Sequence, residues 1–163
     1  MVAPVLVAKV LTVSDSVDAG DREDRSGPAL IARLVDAGFA VIDHRTCQDG
    51  IEVVSAALRE MAVGFRGLVV TTGGTGFGPR DLTPEATRLV IDRDAPGFAE
   101  AIRAAGNAGT RDLGILSRAV CGTVGAALVC NLPGSSVGAV ESLEAVLSAV
   151  PHALELLAGE QPH

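Results

Sequence analysis

The sequence predicts an α/β fold, with a mostly parallel β-sheet covered by helices and an antiparallel hairpin added to it. Apolar, β-rich runs alternate with helical patterns in the first half, and two short β-like runs flank Val124-Gly125 in the second half. The 163 residues suit one domain with a sizeable core. No internal repeat, low-complexity tract or linker is visible, so we expect a single domain spanning 1–163.

Three strands and two helices alternate in the first half of the chain. The runs over 5–13, 39–45 and 68–72 are apolar and predict the strands. Ser26-Gly27-Pro28 predicts the first helix start, with Gly38 as its C-terminal stop. Asp49-Gly50 leads into a second helix that ends before Gly64. The polar, acidic stretch 14–24 is expected to be a mobile surface loop.

The second half departs from simple alternation. Its predicted elements are a helix over 83–91, a helix opening at Pro96-Gly97, hairpin strands over 119–123 and 127–132, and a last helical element over 135–157. Thr83-Pro84 reads as a capping residue followed by proline at the first helical position. Pro151 is expected to kink or restart the last element.

Composition excludes several classes of function. The net charge of −7 argues against non-specific DNA or anionic membrane binding. Aromatic residues make up only 2% of the chain, so a base-stacking nucleic-acid surface is not indicated. Hydrophobic residues make up 48%, a high share that hints at an oligomer with an apolar interface. An anionic ligand must therefore be held by backbone N–H groups, hydroxyls, scattered arginines and a divalent cation.

Cysteine and histidine usage points to a cytosolic protein without a zinc site. No C-x-x-C pair is present, which predicts three reduced thiols, at Cys47, Cys121 and Cys130. No metal-ligand spacing links the histidines, so surface or packing roles are expected for His44, His152 and His163. The N-terminus shows no targeting pattern, and no apolar run is long enough to span a bilayer.

The stretch from Thr71 to Glu85 is the most informative motif. Four glycines lie between a predicted strand and a predicted helix, and Gly73, Gly74, Thr75 and Gly76 form the core of this loop. Such a loop brings backbone N–H groups close to a ligand, which predicts phosphate binding. No Gly-Lys-Ser/Thr ends the loop, which excludes a Walker A loop, and no G-x-G-x-x-G spacing fits its glycines, which excludes a dinucleotide fingerprint. The alternative is a tight turn in an α/β sheet.

Polar residues follow each of the first three strands, and they are expected to meet at one edge of the sheet. Ser14-Asp15-Ser16 follows the first strand, Asp49 the second and the Gly-rich loop with Asp81 the third. Two carboxylates beside a phosphate site commonly hold Mg²⁺ or position a nucleophile. The alternative is a helix cap, an interpretation that is stronger for Asp49 than for Asp81 because Thr83 already fits a cap.

Two further segments carry candidate ligand groups. Asn131 to Ser136 follows the last strand and predicts a second anion site of backbone and hydroxyl donors, or else a turn with a helix cap. Ser117-Arg118 precedes the hairpin, where Arg118 is either a phosphate partner or a solvated surface charge. The histidines do not fall at the predicted ligand edge, so no Ser-His-Asp set is supported.

Together these segments resemble the molybdopterin adenylyltransferase family, which includes bacterial Mog- and MoaB-type proteins and the G domains of plant Cnx and animal gephyrin. The resemblance spans nearly the whole chain and rests on segments 12–16, 24–28, 71–87, 116–118 and 131–135. The run T-T-G-G-T-G-x-G-x-R-D-x-T-P-E-A-T is its most specific part.

The resemblance implies a three-layer α/β/α sandwich that assembles as a trimer or a hexamer. It implies transfer of AMP from Mg-ATP to the terminal phosphate of molybdopterin, with release of pyrophosphate and delivery of the product to a molybdenum insertase. Asp49 and Asp81 match the essential acidic positions, with Asp49 as a candidate Mg²⁺ ligand, and Gly73 to Gly76 match the nucleotide loop. The implied pterin-pocket and neighbouring residues are Ser14, Asp15, Ser16, Ser26, Gly27, Ser117, Arg118, Pro133, Gly134, Ser135 and Ser136.

One position departs from the family pattern. Many members place a lysine near the position of Val137, where this chain has no cation. This departure favours a second hypothesis, a non-catalytic molybdopterin-binding or scaffold protein, whereas Asp49 and Asp81 favour the enzyme. A third hypothesis is a different nucleotide-binding α/β protein.

Overall fold

A computed structural model describes residues 5–107 and 113–161, and it contains one six-stranded sheet. The strands, in chain order, are β1 Leu6–Val13, β2 Phe39–Cys47, β3 Gly67–Thr72, β4 Arg93–Asp94, β5 Cys121–Val124 and β6 Ala127–Leu132. Their order across the sheet is β2-β1-β3-β6-β5-β4. The expectation for His163 lies outside the described residues.

Four neighbouring strands are parallel, and two short antiparallel strands complete one end of the sheet. β1 pairs with β2 and β3, and β3 pairs with β6, all in parallel. β5 pairs antiparallel with β6, and β4 pairs antiparallel with β5. Because β1, β2, β3 and β6 point the same way, the loops after these strands leave from one edge, where ligands of open α/β sheets bind.

Helices cover both faces of the sheet. They are α1 Asp15–Asp18, α2 Ser26–Asp36, α3 Ile51–Ala62, α4 Thr83–Arg88, α5 Pro96–Gly106, α6 Ser136–Leu147 and α7 Val150–Leu157, with a 3₁₀ turn at Leu113–Leu116. One core cluster joins the sheet to α2, α5, α6 and α7, and a second joins its other face to α3 and α4. The predicted α/β class, with a mostly parallel sheet between helix layers and an added hairpin, is confirmed.

Several element predictions were wrong in detail. The stretch 14–24 contains one helical turn, because Ser14 caps α1 by accepting a hydrogen bond from the Val17 amide. β4 was missed because its two residues carry no periodic pattern. α4 ends at Arg88 rather than 91. The last element restarts as predicted, with Pro151 in the first turn of α7.

Thr83 does not cap α4. The N-cap is Leu82, and the buried Thr83 hydroxyl donates 3.0 Å to the Gly73 carbonyl. The hydroxyl therefore fastens the start of the helix to the Gly-rich loop instead of satisfying the helix's own amides.

All three cysteines are free and buried. Within residues 5–107 and 113–161, no single helix is long and apolar enough to cross a membrane. α6 and α7 reach the required length and composition only when taken together across a 61° bend.

Candidate functional site

An open pocket of about 710 Å³ lies where the loops after the parallel strands meet. Its lining residues are Thr12, Val13, Ser14, Val17, Arg22, Glu23, Asp24, Arg25, Ser26, Asp49, Thr72, Gly73, Gly74, Asp81, Gly134, Ser135 and Ser136. Nine of the sequence-predicted site residues are among them. The loops after β1, β2, β3 and β6 thus contribute to one site, as the parallel strand order predicted.

The first two glycines of the loop after β3 have backbone conformations that side chains rarely adopt. Gly73 has φ +102°, and a Cβ there would collide with the Val13 carbonyl oxygen. Gly74 has φ +67°, and a Cβ there would lie 2.9 Å from Asp49 Oδ1. Glycine is required at both positions because the loop passes directly against β1 and the Asp49 carboxylate.

The same loop presents backbone donors. The Gly73 amide donates 3.2 Å to the Leu132 carbonyl and so continues the pairing of β3 with β6. Across the described ranges, no protein acceptor takes the amides of Gly74, Thr75 and Gly76. Consecutive amides of this kind can cradle an anion, and the first of them borders the pocket.

A buried hydrogen-bond network supports the loop from below. Asn131 is fully buried, and its side-chain amide donates to the hydroxyls of Thr71 at 3.1 Å and Thr87 at 2.9 Å. The Thr87 hydroxyl donates 2.8 Å to the Thr83 carbonyl, and Thr83 reaches Gly73. Asn131 also accepts from the Val120 amide at 3.1 Å. Satisfied buried polar networks rigidify their surroundings, so this one fixes the position of the Gly-rich loop.

The carboxylates of Asp49 and Asp81 both lie against the Gly-rich loop. Asp49 Oδ1 lies beside Gly74, and Asp81 Oδ2 accepts a 2.8 Å bond from the Gly78 amide. Burial raises the pKa of Asp49, and repulsion from the Asp15 and Asp81 carboxylates adds to the rise. The capping alternative is wrong for both residues, because the N-caps of α3 and α4 are Gly50 and Leu82, without a side-chain cap bond.

This pair of carboxylates fits Mg²⁺ in the way that phosphate-transfer sites hold it. Magnesium is usually bound by one or two carboxylates together with water and substrate phosphates, rather than by a complete protein cage. Among the described residues, no group of three or more His, Cys, Asp or Glu side chains is arranged to hold a metal. The mutual repulsion of Asp49 and Asp81 would be relieved by a cation between them.

Asp15 does not line the pocket, but its carboxylate binds residues that surround the pocket. Arg80 donates to both carboxylate oxygens of Asp15 at 2.9 Å and to the Asp49 carbonyl at 2.8 Å. The Arg80 hydrogen bonds lower the pKa of Asp15. Ser16 lies behind the pocket, with its hydroxyl 3.2 Å from that of Ser14. Asp15 and Ser16 thus brace the loops rather than face the pocket directly.

A cluster on the pocket wall was missed by sequence reasoning. The Thr12 hydroxyl donates 2.7 Å to Asp24 Oδ2, and His44 Nε2 lies 3.2 Å from both groups. The Gly27 amide donates 2.9 Å to Asp24 Oδ1, so Gly27 supports the wall from outside the pocket. A Cβ at Gly27 would crowd Asp24, Thr12 and His44. His44 therefore contacts two residues of the pocket wall without lining the pocket itself. The D-x-x-G spacing of Asp24 and Gly27 was the available signal for this cluster.

Arg118 is engaged by the protein. Its guanidinium pairs with Glu85, donates 2.8 Å to the Gly76 carbonyl and reaches the Asp81 carbonyl at 2.6 Å. Its backbone amide donates 2.9 Å to the Thr75 carbonyl. The arginine lies outside the pocket lining and holds the far side of the Gly-rich loop in place, which orients Thr75 and Gly76.

A second cavity of about 410 Å³ adjoins the pocket through Ser135. Ser117 and Pro133 line this cavity together with apolar groups of α5, the 3₁₀ turn and α6. Ser135 caps α6 by accepting a 3.1 Å bond from the Gly138 amide, so the capping alternative holds for this residue even though it lines both cavities. Gly134 lets the chain pass Gly73, since a Cβ there would lie 3.4 Å from the Gly73 Cα.

Comparisons with known proteins match this architecture over most of the chain. Residues 9–152 match a family model described as a probable molybdopterin binding domain. A molybdopterin adenylyltransferase of Helicobacter pylori is 36% identical over 153 residues, which cover 92% of this chain and 86% of that protein. A molybdenum cofactor biosynthesis bifunctional protein of Synechococcus elongatus is 37% identical, and the chain spans only 47% of its length.

Among solved structures, the molybdopterin biosynthesis enzyme MoaB of Thermus thermophilus superposes with a TM-score of 0.86. It is 42% identical in sequence, and the match covers 95% of this chain and 98% of that one.

Proposed function

The chain belongs to the family of probable molybdopterin binding domains, and on that premise we propose that it adenylylates molybdopterin with Mg-ATP and releases pyrophosphate. Adenylyltransferases of this kind are among the curated relatives that the chain covers over more than four fifths of their length. The observation that carries the proposal is the position of the Asp49 and Asp81 carboxylates beside a loop in which three consecutive amides have no acceptor among the described residues.

The reaction joins two phosphates and needs no protein nucleophile. A phosphate oxygen of molybdopterin attacks the α-phosphorus of ATP, a new P–O–P bond forms, and the bond to the β-phosphate bridging oxygen breaks so that pyrophosphate leaves. Catalysis can then come mainly from positioning and charge neutralisation. Amides of Gly74 to Gly76 would bind nucleotide phosphate oxygens. The Ser14, Ser26, Ser135 and Ser136 side chains line the space left for the second phosphate.

Asp49 and Asp81 are the residues that would hold Mg²⁺ in this site. When bound, the cation supplies positive charge that offsets the charge of the phosphates and orients them for in-line transfer. The pair of adjoining cavities suits a substrate with an anionic end and a flat, less polar end. The pterin would lie toward Ser117 and Pro133, and its phosphate would lie toward Ser14.

A carrier of molybdopterin without turnover is the second candidate function. The observation that favours it is Val137, which is 67% exposed in the first turn of α6 and leaves that rim of the site without a cation. Weaker binding of the pterin phosphate would still allow molybdopterin to bind but would slow the transfer of AMP to it.

We also propose a homo-oligomer, a trimer or a hexamer, that works in the cytoplasm as a single domain spanning 1–163 and passes its product to a molybdenum insertase. Three exposed apolar side chains on the 3₁₀ turn support an oligomer interface: Leu113, Ile115 and Leu116. The buried free thiols fit a reducing compartment, and the net charge of −7 fits a protein without nucleic-acid or membrane partners. Light scattering on the purified protein would measure its mass.

The deciding experiment measures pyrophosphate release from Mg-ATP, with and without molybdopterin, under reducing anaerobic conditions. Pterin-dependent release together with adenylylated product is the expected result. Saturable molybdopterin binding without release would reject the enzyme in favour of the carrier. Tight nucleotide binding with no molybdopterin binding would reject both and support a different nucleotide-binding protein.

A further inference from the structure

Negatively charged side chains outnumber positively charged ones in the lining of the 710 Å³ pocket. Four carboxylates face two guanidinium groups, the former on Glu23, Asp24, Asp49 and Asp81 and the latter on Arg22 and Arg25. A phosphate group that enters this pocket therefore meets more negative than positive side chains. Phosphate recognition by proteins favours the planar donor fork of arginine.

The guanidinium groups of Arg80 and Arg118 and the ammonium group of Lys9 are already engaged by other groups of the protein. Arg80 holds both oxygens of Asp15 together with the Asp49 carbonyl. Arg118 pairs with Glu85 and donates to two loop carbonyls. Lys9, the single lysine, donates 2.9 Å to the Met61 carbonyl and lies 4.1 Å from the centre of the Phe65 ring. Turning any of them toward a ligand would break these contacts.

Arg22 is held much less firmly and is directed at the pocket. Within the described part of the chain, its guanidinium makes one hydrogen bond, a long contact of 3.4 Å from Nη2 to the Ser14 hydroxyl. Arg25 is held no more firmly, because it pairs with Glu23 at 3.9 Å, but that pair lies at the surface, where both side chains are 81% exposed. A bond of 3.4 Å is weak, so Arg22 can exchange the hydroxyl for a charged acceptor at little cost.

We propose that the Arg22 guanidinium binds a phosphate group of the substrate beside Ser14 and supplies the cation that the α6 rim lacks at Val137. Ser14 lies at the end of β1, and its hydroxyl caps α1 by accepting from the Val17 amide. Arg22 therefore approaches the ligand from the segment that follows β1 rather than from α6. This role deepens the proposed function and rests on it, and the phosphate belongs either to the nucleotide or to molybdopterin.

Binding measurements on three variants test this role. Calorimetry would give the Kd of inorganic pyrophosphate, Mg-ATP and molybdopterin for the wild type, Arg22→Gln, Arg22→Lys and Arg25→Gln. Arg66→Gln is the matched control, because this exposed arginine precedes β3 at the opposite end of the sheet and its loss changes the net charge equally. Thermal unfolding would verify that each variant is folded.

We expect Arg22→Gln to raise the Kd of pyrophosphate about tenfold and Arg22→Lys to raise it less, with Arg66→Gln close to wild type. A parallel rise for Mg-ATP alone assigns the contact to the nucleotide, and a rise for molybdopterin alone assigns it to the pterin phosphate. Unchanged Kd values for all three ligands in Arg22→Gln, or a larger loss in Arg25→Gln, would overturn the role of Arg22. Should wild type form no adenylylated product while Arg22→Gln still loses pyrophosphate affinity, the proposed reaction fails and the phosphate contact stands.

Discussion

Asp15 and Asp49 accept hydrogen bonds from each other's backbone amides. The Asp15 amide donates 3.0 Å to Asp49 Oδ2, and the Asp49 amide donates 3.1 Å to Asp15 Oδ1. This reciprocal pair ties the loop after β1 to the loop after β2, although the two residues are 34 positions apart. Arg80 then joins both to the Gly-rich loop. The pair fixes the Asp49 carboxylate and leaves its Oδ1 facing Gly74.

Asp49→Asn is expected to stabilise the protein at neutral pH. Burial raises the pKa of Asp49, so the native state binds this proton more tightly than the unfolded chain does. The contribution of Asp49 to stability is therefore present below its unfolded pKa and is lost as pH rises through the folded value. Asparagine carries no charge at any pH, so this loss of stability does not occur in the variant. Its side-chain oxygen can still accept the hydrogen bond from the Asp15 amide. Urea unfolding at pH 7 and at about pH 3.5 measures the difference.

The gain in Asp49→Asn should shrink as the pH falls, because the wild-type carboxyl is then neutral as well. Asp43→Asn serves as the control, since Asp43 lies on β2 away from the pocket and pairs with Arg45. A variant that is less stable than wild type at pH 7 would contradict the argument from burial.

Arg80→Gln should raise the pKa of Asp15. The arginine lowers that pKa chiefly through its two hydrogen bonds, so removing it returns the carboxyl toward its ordinary value. The stability that Asp15 contributes is present above its unfolded pKa and is lost as pH falls through the folded value, and the variant should lose part of it at pH 7. Carbon-13 NMR titration of the Asp carboxyls reports the change.

Arg88→Gln is the matched control for Arg80, because Arg88 is an exposed arginine on α4 that pairs with Asp94 at 3.6 Å. An Asp15 titration that is the same in Arg80→Gln and wild type would show that the Arg80 contact does not persist in solution.

Sequence patterns predicted the sheet and its helices because strand and helix periods depend on local spacing. They also predicted that Ser14, Asp49 and the Gly-rich loop share one edge, since parallel strands impose that arrangement. They missed the contact of His44 with Asp24 and the contact of Arg80 with Asp15. Each of these joins residues from different elements, and the Arg80 pair spans 65 positions. The capping assignment of Thr83 failed for the same reason, because its hydroxyl bonds to a residue ten positions earlier.

Asn131→Ala should destabilise the protein by about 3 kcal/mol, because it leaves buried partners without a hydrogen bond. Thr71, Thr87 and the Val120 amide all lose the contact. Ser55→Ala is the control, since this buried hydroxyl donates only to the Glu52 carbonyl within α3. Urea unfolding should show less than about 1 kcal/mol for that change. Equal losses of unfolding free energy in the two variants would show that the Asn131 network stabilises the protein no more than one buried hydrogen bond does.

Cys47 should resist alkylation at pH 8 in the native protein. Burial, together with the Asp18 and Asp49 carboxylates, raises the pKa of Cys47 to about 11. Only about a thousandth of the thiol is then ionised at pH 8, and the thiolate is the reactive form. Iodoacetamide labelling followed by peptide mass spectrometry measures the rate at this residue. Labelling in urea provides the reference, and a native rate close to it would contradict the raised pKa.

Asp81→Asn should lower kcat by about 10²- to 10³-fold while the protein stays folded and binds molybdopterin. Asparagine keeps an oxygen that can accept from the Gly78 amide, so the loop geometry is retained and only the charge is lost. That charge faces Gly76 and Gly78 and repels Asp49, so the two carboxylates would together hold the Mg²⁺ of a metal–nucleotide complex. Asp92→Asn is the control, because Asp92 likewise accepts from a glycine amide, that of Gly125 in the turn between β5 and β6.

Pyrophosphate release and molybdopterin affinity are measured on both variants. Wild-type turnover in Asp81→Asn would remove Asp81 from the catalytic assignment, and a parallel loss in Asp92→Asn would show that the effect is not specific to the site.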